Sequence, residues 1–135
     1  MASRSKSDLH AHLVEAYNYA ESEFIKRHPD KSTPFLTCTY RSNVEQAVLY
    51  SIGRTAKGKI VTQAKAGESP HNFKPSFAFD IGFSKGKVMD WSSLLFIEFA
   101  NILKERYADT VTWGGDFNSF KDRPHFELTG WKKLK

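Results

Sequence analysis

The stretch FAFDIGF at 77–83 constrains the fold more than any other, because its side chains alternate. In an extended chain Phe77, Phe79, Ile81 and Phe83 fall on one face, and Ala78, Asp80 and Gly82 on the other. Such a strand must bury its aromatic face against a second layer, since each of these large apolar side chains left in water would forfeit roughly 1.5–3 kcal/mol. The opposite face then carries one carboxylate, Asp80, between two small residues.

The remaining periodicities supply that second layer. From Ser7 to about His28, Leu9, Leu13, Ala16, Tyr17, Ala20 and Phe24 recur at three and four, which predicts an amphipathic helix capped by Ser7 or Asp8 and ended by Pro29. PFLTCTY at 34–40 is rich in β-formers and predicts a strand. RSNVEQAVLYSIG then shifts to helical spacing through Val44, Ala47 and Val48 until Gly53, which leaves Arg41 and Ser42 at a strand-to-helix junction. Residues 54–76 lack periodicity and predict a long surface loop, a feature that is often functional in a small domain.

After a turn at SKGK, Asp90 is placed to cap a helix carrying Leu94, Leu95, Phe99, Ile102 and Leu103 and ending near Tyr107. TVTWGGD and PHFEL predict two more short strands joined by a polar loop at 117–123. Helices early and in the middle with strands clustered late predict an α+β fold, a small, largely antiparallel sheet flanked by helices. At 135 residues and 15.4 kDa, 1–135 is expected to be a single domain.

Several function classes fall away on composition. No apolar run approaches the roughly 18–20 residues of a membrane span, and MASRSKSDLH is not followed by an apolar signal segment. The expectation is a chain made in, and at first kept in, a cytoplasm, without stable membrane insertion. With Cys38 alone, neither a disulfide within the chain nor a multi-cysteine zinc site can form, so any metal is expected on nitrogen and oxygen. Cys38 itself is expected as a small core residue, and His10, His12 and His28 as solvent-facing. Twenty Lys and Arg against 15 Asp and Glu give a formal charge of +5, which favours approach to polyanions such as nucleic acid, anionic lipid or wall polymers without choosing among them.

Three residues at loop-to-strand edges have metal-ligating chemistry: His71, Asp80 and His125. Two neutral imidazoles and one carboxylate leave a divalent ion with a net charge near +1 and a position open for water, the composition used by zinc hydrolases. Asp122, three residues before His125 and stiffened by Pro124, is a candidate for the base that takes a proton from water and returns it to a leaving amine. Residue types and spacing alone leave another reading standing: a satisfied core histidine, a turn carboxylate at Asp122 and an arginine partner for Asp80.

SPHNFKPSFAFDIGF followed by TWGGDFNSFKDRPHFEL resembles the M15 peptidases, whose motifs are S-x-H-x-x-G-x-A-x-D and W-G-G-D followed by [DE]-x-x-H. TYRSNVEQAVLYSIG is similar to that family's R-[ST]-x-x-x-Q segment through Arg41, Ser42 and Gln46. The likeness covers about 38–128 and implies a fold of the D-alanyl-D-alanine peptidase (hedgehog-like) type. It implies Zn2+ on His71, Asp80 and His125, Asp122 as catalytic acid and base, and Arg41 as the group that binds substrate or stabilises the oxyanion. Eight residues separate His71 from Asp80 where the family commonly has six, and Lys74, Pro75 and Ser76 stand where its glycine falls.

Other motif positions carry open readings. Ser69 either hydrogen-bonds near the site or caps the turn. Gln46 contacts substrate or supports Arg41. Trp113 is expected as a cleft wall and Asp116 as the group orienting a ligand histidine. An aspartate rather than a glutamate at 122 resembles the phage L-alanyl-D-glutamate endopeptidases. The resemblance thus implies a monomeric endolysin acting on bacterial peptidoglycan, not nucleic acid, and released from the host cytoplasm by a holin-type protein. A D-alanyl-D-alanine carboxypeptidase or dipeptidase is the nearest rival. A metal-dependent nuclease, suggested by the basic charge and the pair His71 and Asn72, and a non-enzymatic wall-binding module are the others.

Overall fold

The computed structural model describes residues 2–135. In chain order it contains α1 (Ala11–Arg27), β1 (Thr33–Cys38), α2 (Asn43–Ser51), β2 (Ala78–Lys85), β3 (Val88–Met89), α3 (Ser93–Tyr107), β4 (Val111–Trp113) and β5 (His125–Leu128), with single 3-10 turns between and beside them. The sheet runs β1-β2-β5-β4, β3 pairs β2, and every pairing is antiparallel. This is the expected α+β domain.

The alternation at 77–83 does what its period demands. Phe79, Ile81 and Phe83 are fully buried against α1 and α3. Tyr17 meets Phe79 edge-on at 5.4 Å between ring centroids, Phe24 packs on Phe83 at 5.3 Å, and Phe99 lies between Phe83 and Phe126 at 6.3 and 5.5 Å. The core therefore sits between the sheet and these two helices, and the other sheet face is left for Asp80.

α1 begins later than its periodicity suggests. Ser7 and Asp8 belong to a separate 3-10 turn, Lys6–Asp8, and the helix is capped by His10, whose side chain accepts from the His12 backbone. The interruption has a tertiary cause: Ser76 N–H donates to Asp8 O at 2.7 Å and His10 N–H donates to Ser76 O at 3.0 Å, so Leu9 is held in a bridge to Ser76. Asp90 likewise precedes the cap of α3. Ser92 takes that position, and Asp90 accepts from the Ser92 backbone and from the hydroxyls of Ser92 and Ser32.

α2 starts with a full capping box between Ser42 and Glu45. Its apolar stripe faces outward, with Val44, Ala47 and Val48 exposed, and the one buried residue is Gln46. The loop of 53–69 forms no helix or strand beyond the bridge of Ile52 to Ala56. No helix among the described residues is long and apolar enough to cross a membrane.

Candidate metal centre

Sheet register assembles the site. Cys38 of β1 lies opposite Asp80 of β2, and Asp80 lies opposite His125 of β5, so three strands present these side chains in a row. His71 arrives from the end of the long loop on the 3-10 turn Pro70–Asn72. Its backbone is fastened to the junction before α2: Arg41 N–H donates to His71 O at 2.8 Å, and Asn72 Nδ2 donates to Arg41 O at 2.9 Å.

Both imidazoles converge on one carboxylate oxygen. His71 Nε2 lies 3.2 Å and His125 Nδ1 lies 3.0 Å from Asp80 Oδ1, with the two rings 5.2 Å apart. The outer nitrogens are tied down. His71 Nδ1 is 2.7 Å from the Thr39 carbonyl, which can only accept, and His125 Nε2 is 2.7 Å from Glu127 Oε1. With the outer nitrogens donating, two inner nitrogens and one carboxylate oxygen turn lone pairs toward a common point, an arrangement that requires a cation or extra protons.

Without a cation the protons are the answer. Burial acts against charged His71 and His125, but Asp80 outweighs it and raises both above the ordinary imidazole range, helped at His125 by Glu127. Burial equally opposes the charge on Asp80, yet the two histidines hold its carboxyl well below the usual carboxylate range. A divalent ion replacing those protons meets the donor set it favours, so the residues fit zinc.

A sulfur is also within reach. Cys38, His71 and Asp80 offer ligand atoms all within 4.8 Å of one another, which amends the expectation of nitrogen and oxygen alone. The Arg41 guanidinium, however, already lies on that side, 3.5 Å from Cys38 Sγ and 3.8 Å from Asp80 Oδ2. Oδ2 faces a permanent cation and Oδ1 faces the two histidines.

Asp122 stands near this cluster through backbone geometry. Its N–H donates to Gly114 O at 3.0 Å and its carbonyl accepts from His125 N–H at 3.1 Å. A methyl group on Gly114 would come within 2.1 Å of that carbonyl, so the motif glycine is where the Asp122 backbone passes. Burial and the negative charge of Asp80 push the Asp122 carboxyl up, against the pull of His125, His71 and Arg41. Arg41, His71, Asp80, Asp122, His125 and Glu127 all line one cleft of about 520 Å³, walled by the loop at 61–64 and by Phe117 and Phe120.

Of the other motif residues, Ser69 and Gln46 support this arrangement and Trp113 and Asp116 lie outside it. Ser69 accepts from His71 N–H as the cap of its turn while also lining the cleft. Gln46 accepts from Arg41 Nη1 at 2.9 Å and donates to Ala64 O at 2.8 Å, joining the guanidinium to the loop wall. Trp113 is buried against Phe126, away from the cleft lining, and its indole donates to Arg123 O at 2.7 Å. Asp116 pairs with Lys104 at 2.6 Å on the surface, and the carboxylate against the His125 ring is Glu127. The sequence carries a signal for Glu127, since in a strand it shares a face with His125 two residues earlier.

The antiparallel sheet thus presents a His–Asp–His cluster to an open cleft, with a carboxylate and a guanidinium beside it, the donor set of a candidate metal centre. Residues 62–128 match an M15 peptidase family described as D-alanyl-D-alanine carboxypeptidase. The chain is 37% identical over 106 residues to the peptidoglycan L-alanyl-D-glutamate endopeptidase CwlK of Bacillus subtilis (strain 168), covering 69% of this chain and 59% of that protein. It thus spans about three fifths of that relative's length. The crystal structure of the Serratia marcescens L-Ala D-Glu endopeptidase ChiX superposes with a TM-score of 0.69 at 19% identity, over 99% of this chain and 93% of the other, a likeness of fold. The family model and the relative both point to the M15 peptidases, the zinc metallopeptidase family that this chain is similar to.

Proposed function

We propose that this protein is a zinc-dependent peptidoglycan endopeptidase that cleaves the stem peptide between L-alanine and D-glutamate. The convergence of His71 Nε2 and His125 Nδ1 on Asp80 Oδ1 inside a cleft shared with Asp122 carries the reading. The identity to CwlK supports the bond. His71, Asp80 and His125 would hold the ion on the Oδ1 side, and a bound zinc supplies Lewis acidity toward a peptide carbonyl and toward water.

The chain's own groups do the rest. Asp122, its proton affinity raised by burial, takes a proton from the attacking water. As the water oxygen bonds to the carbonyl carbon, Arg41 aims guanidinium donors at the negative charge growing on the carbonyl oxygen. Asp122 then returns its proton to the amide nitrogen, the C–N bond breaks, and a carboxylate and an amine leave. Gln46 keeps Arg41 in place and Glu127 keeps His125 in place.

Digestion of purified murein with mass analysis, with and without chelator, tests this. New N-terminal D-glutamate that disappears with chelator is expected. Released D-alanine would instead favour a carboxypeptidase, the reading that the description of the matching family suggests. DNA cleavage with murein intact would reject both. The finer reading is a phage endolysin that waits in the host cytoplasm for a holin-type protein. The aspartate at 122 and the basic charge support it. Its test is expression in a Gram-negative host, where lysis is expected only after the inner membrane is permeabilised.

A further inference from the structure

We infer that Glu127 is a positioning residue that selects which nitrogen of His125 faces the metal; this rests on the metal-site reading proposed above. β5 is paired on both edges, with Glu127 opposite Ala78 in β2 and Thr112 in β4, so its backbone is fixed from two sides. Side chains two apart on such a strand share a face, and Phe126 between them points into the core, stacked on Phe79 at 5.1 Å. Glu127 can therefore reach the His125 ring from its own strand, and its Oε1 lies 2.7 Å from Nε2.

The two histidines consequently present different atoms. His71 is held at Nδ1 by the Thr39 carbonyl and offers Nε2, whereas His125 is held at Nε2 by a carboxylate and offers Nδ1. A charged acceptor grips an imidazole N–H more firmly than a carbonyl does and makes the opposite nitrogen a stronger donor. Loss of Glu127 frees the His125 ring to turn and offer either nitrogen. At His71 the nearer partner of Nδ1 is the Thr39 carbonyl at 2.7 Å, with Cys38 Sγ farther off at 3.6 Å, so one ligand is held chiefly by backbone and the other by Glu127.

The test is zinc affinity, measured by competition with a chromophoric chelator, on Glu127→Ala, Glu127→Met and Glu127→Gln. Alanine and methionine remove the acceptor and should weaken zinc binding about 10- to 100-fold, while glutamine keeps an oxygen in reach and should recover most of the loss. Methionine keeps the length of the side chain should the alanine variant fail to fold. Ring-nitrogen NMR of the zinc-loaded protein should show His125 as a single Nε2–H tautomer in the parent and in Glu127→Gln, and as a mixture in the other two. Parent-like affinity in either folded variant lacking the acceptor overturns the inference, as does a glutamine variant as weak as alanine. His125→Ala separates the two levels: if it retains zinc, the metal-site reading fails, and if it alone loses zinc, only the role of Glu127 fails.

Discussion

Replacing Gln46 with leucine isolates the link between Arg41 and the cleft wall, because leucine fills a similar volume without a polar group. Gln46 is fully buried, accepts from Arg41 Nη1 at 2.9 Å, and donates to Ala64 O at 2.8 Å and to Thr62 Oγ1 at 3.4 Å. A hydrogen bond to a charged group contributes about 1.5–3 kcal/mol and a neutral one about 1 kcal/mol, while the third contact is too long to add much. Arg41 borders the cleft and can recover part of its loss through water, which brings the expected cost to about 2–3 kcal/mol. Urea unfolding followed by far-UV circular dichroism should show a lower midpoint at unchanged slope. Activity should fall in the same variant without loss of zinc, and the losses from Gln46→Leu and Arg41→Ala should not add, since one residue acts through the other. A stability change below about 0.5 kcal/mol, the size of an ordinary surface substitution, would refute the reasoning.

Asp122→Asn should retain zinc and lose about 10²- to 10⁴-fold in kcat. As the proposed base, Asp122 works deprotonated, and burial with the nearby Asp80 charge raises its carboxyl, so activity in the parent should disappear on acidification at a pH above the usual carboxylate range, read from the acid limb of the pH profile. The raised His71 and His125 hold protons that zinc must displace, so zinc titration in weak buffer at neutral pH should release protons and affinity should fall as pH is lowered; silent binding would contradict the protonated metal-free site. Gly114→Ala should displace the Asp122 backbone and cut kcat at least about tenfold with zinc stoichiometry unchanged, because a 1 Å misplacement of a catalytic group can cost about a hundredfold. A parent-like kcat would show that the turn yields without moving Asp122.

The period-two run at 77–83 was sufficient to orient the sheet, because alternation fixes both the buried face and the face that carries Asp80. The motif resemblance brought forward His71, Asp122, His125 and Arg41, and the structure gathers them in one cleft. Elsewhere periodicity identified an element without its orientation. In α2 the apolar stripe of Val44 and Val48 is exposed because the buried position is taken by Gln46, whose hydrogen bonds are all satisfied inside. The late start of α1 depends on the bridge of Leu9 to Ser76, a pairing between segments distant in sequence that no local propensity encodes. Glu127 belongs to no motif, whereas Asp116 stands in W-G-G-D, although strand geometry alone places Glu127 beside His125.

The surplus between His71 and Asp80 has a use beyond spacing. Ser76 is bonded on both sides to the segment ahead of α1, and Lys74 lies 3.4 Å from the Asp8 carboxylate. Both side chains keep their places because each is anchored independently, His71 by its turn and by Thr39, Asp80 by three-stranded register. Separation along the chain between His71 and Asp80 is therefore not itself under geometric constraint here. The stretch between them instead moors the segment ahead of α1, so the start of that helix and the arrival of His71 are joined through Ser76 and Lys74.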